Sequence, residues 1–177
     1  LFHPAMKHVA TVRKALKVKT FFNMLGPMTN PARPNAHLVG VFNSEVQKIY
    51  SEVYSLAGIR HGIVFSLDGY DEISLTGDFS IVSNKKEALY APEKLGYSKT
   101  IHTELHGGNT IEEAANIFLS VLQGKGSKAQ NEVVLANSAF ALSVYFPNKS
   151  IDDCQQMCVD SLMGGKAYAA FKKLFNK

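Results

Sequence analysis

The sequence lacks most of the features that would set it apart from ordinary globular proteins. Its 177 residues contain no apolar run near the roughly 20 residues that span a bilayer, so we expect no membrane partner. Only 19% of the residues are charged and 46% are hydrophobic, which excludes a disordered chain and allows a substantial core. There are no internal repeats and no low-complexity tracts. We therefore predict one globular domain over residues 1–177.

Cysteine is also scarce, with only Cys154 and Cys158, four residues apart in a helical pattern. One such pair makes no disulfide framework, and a metal site would need ligands that its neighbours do not offer, so we expect free thiols and a cytoplasmic location. The sequence has neither an initiator Met nor a signal-peptide pattern. Residues 1–4, Leu-Phe-His-Pro, are typical of the middle of a loop, so we expect a fragment.

Positive charge exceeds negative charge, with a formal net charge of +4 and a pI near 9.0. The lysine clusters are typical of solvated helix faces, and the alternative is a field that attracts an anionic ligand. The basic residues are not interleaved with aromatic ones and no nucleic-acid motif occurs, so we expect no nucleic-acid partner.

Hydrophobic periodicity predicts a βαβ unit in the first half of the chain. Residues 37–42 and 62–67 are continuous apolar runs of strand length, and between them Ser44 would cap a helix that ends near Leu56. The positions of this helix at core spacing are Val46, Ile49, Val53 and Leu56. A strand, a helix and a second apolar strand in this order predict a parallel sheet that is covered on both faces.

The remainder of the chain is predicted to begin with strands and to end with helices. Short strands are expected at 73–75, 79–83 and 87–90. Helices are expected at 8–16, at 111–123 behind a capping box of Thr110 and Glu113, at 128–145, and from Ser150 to Leu162 with a last turn to Phe175. The predicted class is α/β, with a mostly parallel central sheet flanked by helices and a helical C-terminal layer.

An acidic segment, Asp68-Gly-Tyr-Asp-Glu-Ile-Ser-Leu-Thr-Gly77, follows the second predicted strand. Open α/β sheets bind their ligands beyond the carboxyl ends of the strands. Asp71 and Glu72 repel each other, and a divalent cation such as Mg²⁺ would relieve that repulsion while it keeps water and phosphate as further ligands. The alternative is a solvated acidic turn.

Two further segments are not explained by ordinary folding. One is the loop 23–31, Asn-Met-Leu-Gly-Pro-Met-Thr-Asn-Pro, where Gly26 would permit a close backbone approach or a positive φ. Its alternative is a structural turn. The other is the segment 3–8, His-Pro-Ala-Met-Lys-His, followed by Arg13. This arginine is either an ordinary surface residue or a bidentate partner for a carboxylate.

These three segments, in this order, resemble those of anthranilate phosphoribosyltransferases. The similarity extends through Glu-Leu-His-Gly-Gly-Asn-Thr (104–110), Val-Val-Leu-Ala-Asn-Ser-Ala (133–139) and Asp-Ser-Leu-Met-Gly-Gly-Lys-Ala (160–167), so it covers essentially the whole chain. The resemblance implies a catalytic domain of the nucleoside phosphorylase and phosphoribosyltransferase type.

The resemblance also implies a reaction and a set of site residues. Enzymes of this family transfer the 5-phosphoribosyl group from phosphoribosyl pyrophosphate to the amine of anthranilate, releasing pyrophosphate, in tryptophan biosynthesis. By that match Asp71 and Glu72 would hold Mg²⁺, and Arg13 would pair with the anthranilate carboxylate. The residues that would line the anthranilate pocket are His3, Met6 and Gly26. No general acid or base is implied, because an aromatic amine is an adequate nucleophile, so catalysis would depend on positioning and electrostatics.

Two phosphate-binding motifs of the family, a glycine-rich Gly-Thr-Gly-Gly-Asp loop and a Lys-His-Gly-Asn-Arg segment, do not occur in these 177 residues. The N-terminal helical domain through which the family forms homodimers is not represented either. We therefore expect the chain alone to be inactive and the full-length parent to be a homodimer. The alternatives are a pyrimidine nucleoside phosphorylase-like enzyme and a noncatalytic relative that binds nucleic acid.

Overall fold

The computed structural model describes residues 26–84 and 86–175 of the chain. Backbone contacts divide the protein into two compact units, Leu1–Asn35 and Ala36–Lys177. The described part of the first unit is a turn that begins with helical residues 26–28. Its backbone is fixed locally, since the N–H of Thr29 donates to the carbonyl of Gly26 at 3.3 Å and the N–H of Arg33 donates to the carbonyl of Asn30 at 3.0 Å. The helix predicted at 8–16 lies outside the described residues.

A four-stranded sheet forms the centre of the second unit. Its strands are β1 (Ala36–Gly40), β2 (Arg60–Ser66), β3 (Phe79–Ser83) and β4 (Glu87–Tyr90), in that order across the sheet. Helix α1 (Ser44–Leu56) joins β1 to β2, which are parallel, whereas β3 and β4 continue the sheet in antiparallel orientation. The α/β class and the βαβ unit are confirmed, and the complete sheet is mixed.

The helical C-terminal layer is confirmed as well. It consists of α2 (Ile111–Leu122), α3 (Lys128–Tyr145), α4 (Ile151–Met163) and α5 (Lys166–Lys172), preceded by two short 3₁₀ helices, Pro92–Leu95 and His102–Leu105. Helices α3 and α4 both begin with a complete capping box, in which the N-cap serine and the third helical residue exchange hydrogen bonds. None of the described helices combines the length and the apolar character that crossing a bilayer requires.

The core lies between the sheet and α3, with a second cluster between α3 and α4. The first cluster contains Val64, Ile73, Leu75, Phe79, Ile81, Ala136 and Phe140. The second contains Leu135, Ala139, Cys154, Cys158 and Leu162. Both thiols are free, as predicted, and burial raises the pKa of each. Helix α3 is thus the element that joins the sheet to the C-terminal layer.

The predicted capping box of α2 forms only in part, because the Thr110 hydroxyl accepts from the N–H of Glu113 at 3.1 Å but the Glu113 carboxylate accepts from the N–H of Asn109. Three other local predictions are wrong. The N-cap of α1 is Asn43, whose side chain accepts from the N–H of Val46 at 2.8 Å, and not Ser44. The buried face of α1 consists of Val46, Gln47, Tyr50 and Tyr54, whereas three of the four expected core positions, Ile49, Val53 and Leu56, are exposed. Residues 73–75 form no strand, because Ile73 bonds to a helix and Leu75 has a φ of 59°.

Candidate metal and substrate site

The acidic doublet lies on the loop that connects β2 to β3. Strands β1 and β2 are parallel, so both carboxyl ends meet at one edge of the sheet. Gly40, the last residue of β1, touches the backbone of Asp71: a Cβ added at Gly40 would lie 1.4 Å from the Asp71 carbonyl oxygen. This contact places Asp71 at the edge where open α/β sheets bind ligands, in agreement with the prediction from the sequence.

The backbone next to the doublet is fixed by hydrogen bonds from the fully buried end of β2. The hydroxyl of Ser66 donates to the carbonyl of Glu72, and the N–H of Ser66 donates to the carbonyl of Tyr70 at 3.1 Å. Ser66 has no exposed surface. The loop therefore folds back over the strand that it leaves, and the doublet is turned toward solvent.

A single side chain of α3 holds the other end of the doublet. The Asn137 side-chain oxygen accepts from the N–H of Ile73 at 3.1 Å, and its amide nitrogen donates to the carbonyl of Ile73 at 2.8 Å and to that of Val133 at 2.9 Å. Ile73 is fully buried, so these bonds satisfy backbone groups that water does not reach. Asn137 is therefore a positioning residue for the acidic loop.

Leu75 extends this anchoring at a conformational cost. Its φ of 59° lies in the left-handed region, which costs a residue with a Cβ roughly 1–2 kcal/mol. Its side chain is fully buried, and burying a leucine stabilises by about 1.5–3 kcal/mol. The N–H of Thr100 also donates to the carbonyl of Leu75 at 3.0 Å. Packing outweighs the strain, so the loop keeps a conformation that its sequence pattern does not favour.

The acidic residues of this loop have two different roles. The carboxylate of Asp68 accepts from the hydroxyl of Thr76 and closes the loop on itself. Asp71 and Glu72 are exposed, and among the described residues no group forms a hydrogen bond or a salt bridge with either carboxylate. Asp68 is thus structural, while the doublet remains available to a ligand.

The donor set of the doublet fits Mg²⁺. This ion takes one or two carboxylates and keeps water or substrate phosphate at its other positions. Within the described ranges, no group of three or more His, Cys, Asp or Glu side chains converges on one point, so these residues form no closed metal cage. Two unpaired carboxylates on an anchored loop match the open type of site that a phosphate-bearing substrate completes.

The other predicted site residues belong to the first unit. His3, Met6 and Arg13 lie outside the described residues, and their roles stay predictions. Gly26 is exposed and its φ is not positive, and an added Cβ would meet no described atom of its unit within 4 Å. Gly26 therefore does not adopt the positive φ that a glycine would permit, and its assignment to the anthranilate pocket stays a prediction.

Reasoning from the sequence missed three residues that build the site: Gly40, Ser66 and Asn137. A glycine at the end of an apolar strand and an asparagine within an apolar helix are both visible signals. Neither signal identifies the residue that it contacts. Gly40 contacts Asp71, 31 residues away along the chain, and Asn137 contacts Ile73, 64 residues away.

A family model, described as the a/b domain of a glycosyl transferase family, matches residues 1–168. The chain belongs to this glycosyl transferase family. Its relatives include proteins named anthranilate phosphoribosyltransferase from Bacteroides fragilis strain YCH46, 47% identical over 173 residues, and from Flavobacterium psychrophilum, 48% identical over 174 residues. Each alignment covers 98% of this chain and 52% of the relative. The chain thus spans about half the length of the curated relatives it matches, and the resemblance stated from its motifs is confirmed.

Solved structures agree with this membership of the glycosyl transferase family. The anthranilate phosphoribosyltransferase of Thermus thermophilus superposes with a TM-score of 0.88 at 31% identity, over 97% of this chain and 51% of that one. The enzyme of Saccharomyces cerevisiae, solved in complex with PRPP and Mg, superposes with a TM-score of 0.85 over 94% of this chain and 48% of that one. At 24% identity the second likeness shows the fold alone.

Proposed function

We propose that this chain is the α/β catalytic portion of an anthranilate phosphoribosyltransferase. The reaction would transfer the 5-phosphoribosyl group from phosphoribosyl pyrophosphate to the amine of anthranilate, with release of pyrophosphate, in tryptophan biosynthesis. The observation that carries the proposal is the placement of two carboxylates, Asp71 and Glu72, on an anchored loop at the carboxyl edge of the parallel strands, where no other described group pairs with them. The nucleoside phosphorylase and nucleic-acid-binding alternatives are not favoured, because the relatives reported above are named anthranilate phosphoribosyltransferase.

The proposed work of the doublet is to hold Mg²⁺ against the pyrophosphate group of the donor substrate. When bound, the ion would supply positive charge that stabilises the leaving pyrophosphate. Asp71 and Glu72 would fix the position of that charge, because Ser66 and Asn137 restrain the backbone on either side of them. A restrained pair needs little reorganisation during the reaction, which is the condition for electrostatic stabilisation of a transition state.

The proposed contacts with anthranilate come from the resemblance alone. Arg13 would pair with the carboxylate of anthranilate, and His3, Met6 and Gly26 would line its pocket. We assign no catalytic acid or base, since an aromatic amine can attack the ribose carbon once pyrophosphate departs. Positioning of the two substrates would then supply most of the rate.

The proposal extends to the assembly and the location of the parent protein. We expect a homodimer formed through an N-terminal helical domain, and a cytoplasmic location in keeping with two free, buried thiols. We also expect the 177-residue chain alone to show no useful transferase activity, because phosphate-binding loops of the family do not occur in it. An assay with anthranilate, phosphoribosyl pyrophosphate and Mg²⁺ tests this point, and turnover near that of a complete family member would contradict it.

The metal assignment has a test that does not depend on turnover. Isothermal titration calorimetry of the chain with Mg²⁺ and pyrophosphate should show binding. The double variant Asp71→Asn with Glu72→Gln should lose that binding. The matched control is Glu52→Gln together with Glu87→Gln, which removes two exposed carboxylates from α1 and β4 and should bind like the unmodified chain. Equal binding by the double variant and the control would refute the assignment.

A further inference from the structure

A cavity of about 590 Å³ lies in the second unit, at the amino-terminal end of β2. This volume falls within the range of small-molecule sites in proteins. Its apolar lining includes Leu38, Ile81, Tyr90, Phe140, Val144 and Ile151. Phe140 and Tyr90 meet edge to face with their ring centroids 5.1 Å apart, so part of the lining is aromatic and rigidly packed.

The cavity is the gap between two turns that are each closed by their own hydrogen bonds. On the sheet side, the turn from β3 to β4 is closed by the N–H of Ser83, which donates to the carbonyl of Lys86 at 2.9 Å. On the helical side, α3 ends at Tyr145, and the N–H of Lys149 donates to the carbonyl of Phe146 at 3.0 Å before α4 begins. Both walls are thus formed without a ligand.

Among the described residues, three cationic side chains line this cavity: Arg60, Lys86 and Lys149. No carboxylate is among the described residues of the lining. Arg60 uses one of its nitrogens to donate to the carbonyl of Tyr145 at 2.8 Å, which leaves further donors of its guanidinium group. Neither lysine forms a salt bridge with a described carboxylate. An apolar floor beneath three positively charged side chains attracts small molecules that carry both an apolar body and a negative charge. Asp153 is a described carboxylate that interacts electrostatically with one of the three, Lys149, without forming a salt bridge with it.

The cavity and the acidic doublet lie at opposite ends of β2. Helix α3 contacts both ends, since Asn137 bonds to Ile73 beyond the carboxyl end and Tyr145 accepts from Arg60 at the amino end. Asn137 and Tyr145 are eight positions apart on this helix, which corresponds to roughly 12 Å along its axis. A molecule bound in the cavity would therefore contact neither of the two carboxylates that are proposed to hold the metal ion.

We infer that this cavity is a second binding site, separate from the acidic doublet, for a small organic anion. The apolar body of the ligand would cover Leu38, Ile81 and Phe140, and its anionic group would meet Arg60, Lys86 and Lys149. This inference goes beyond the proposed transferase activity and does not depend on it, because no residue of the cavity belongs to the proposed metal site.

The probe for this site is 2-naphthoate, titrated into the ¹⁵N-labelled 177-residue chain and followed by amide chemical shifts. We expect the largest shifts at Gly62, Ser143 and Lys149, with little change at Asp71. The uncharged isostere 2-naphthamide should bind at least a few-fold more weakly, because it cannot use the three cations. Equal affinity of the two probes would overturn the assignment of an anion site.

Paired variants separate the charge contribution from general attraction to a basic protein. Lys86→Gln together with Lys149→Gln should weaken 2-naphthoate binding roughly tenfold, since each exposed ion pair contributes a few-fold. The control pair Lys48→Gln with Lys125→Gln removes the same charge from exposed positions that do not line the cavity. The inference is wrong if both pairs weaken binding equally.

A third variant tests the cavity itself. Ser143→Leu places three additional carbon atoms inside the lining of α3 and should abolish binding, while the circular dichroism spectrum and melting temperature report whether the chain stays folded. If this variant does not fold, the lysine pair decides the question, because both lysines are exposed and contribute little to the core. Shifts that map to residues 68–78, or no shifts at all, would overturn the inference.

Discussion

Replacing Asn137 by alanine should destabilise the protein and loosen the acidic loop together. The side chain makes three hydrogen bonds, two of which satisfy the N–H and the carbonyl of the fully buried Ile73. A buried backbone group left without a partner costs about 1–3 kcal/mol, so two such groups cost about 2–6 kcal/mol. This is a large part of the roughly 5–15 kcal/mol that is typical of a folded domain.

Urea denaturation gives the change in the free energy of unfolding of the Asn137→Ala variant. Asn116→Ala is the matched control, because this asparagine lies exposed on α2 and should change the free energy by less than about 0.5 kcal/mol. Hydrogen exchange at the Ile73 amide should accelerate in the variant, and its affinity for Mg²⁺ with pyrophosphate should fall. A loss below about 1 kcal/mol with unchanged Ile73 protection would show that Asn137 does not hold the loop.

Two further predictions concern backbone contact and pH. Gly40→Ala places a Cβ 1.4 Å from the Asp71 carbonyl oxygen, so it should lower the free energy of unfolding by at least about 1–3 kcal/mol and weaken binding of Mg²⁺ with pyrophosphate. Gly107→Ala is the control, because an added Cβ there meets no described atom within 4 Å. Equal behaviour of the two variants would contradict the contact between Gly40 and Asp71. Burial, with a smaller contribution from Tyr50, raises the pKa of Tyr54 from 10.0 to about 12. Between pH 10 and pH 12 the folded protein therefore keeps the Tyr54 proton that the unfolded chain loses. The stability that Tyr54 contributes through this difference is present below pH 10 and is lost as the pH rises toward 12. Tyr54→Phe should show a shallower fall in the free energy of unfolding over that interval, and an unchanged slope would be inconsistent with this account.

Most of the elements were predictable because their signals are local. The bounds of α3, β3 and β4 agree with the predicted 128–145, 79–83 and 87–90, since apolar runs, turns and serine caps mark their ends. The face of α1 was not predictable in the same way. Its tyrosines form a second stripe beside the aliphatic one, and the amide of Gln47 donates to the carbonyl of Ile63 at 2.7 Å, so tertiary contacts select the face that meets the sheet.

The acidic residues of the site could be predicted from the sequence, but the hydrogen bonds that hold their loop in place could not. Its position after a parallel strand indicated Asp71 and Glu72, because the edge of an α/β sheet is a general place for ligands. The expected strand at 73–75 did not form, since Asn137 takes the backbone bonds of Ile73 that a neighbouring strand would otherwise take. Such a choice depends on the packing of α3 against the sheet, which local sequence patterns do not encode.

The most direct measurement of the central claim uses Mn²⁺ in place of Mg²⁺, because its paramagnetism broadens the NMR signals of nearby amides. With pyrophosphate present, the account predicts strong broadening at Tyr70, Asp71, Glu72 and Ile73. It also predicts sharp signals at Arg60, the first residue of β2, and at Lys149, which lines the cavity at that end of the strand. Broadening that spares residues 70–73 would contradict the assignment of the doublet as the metal site.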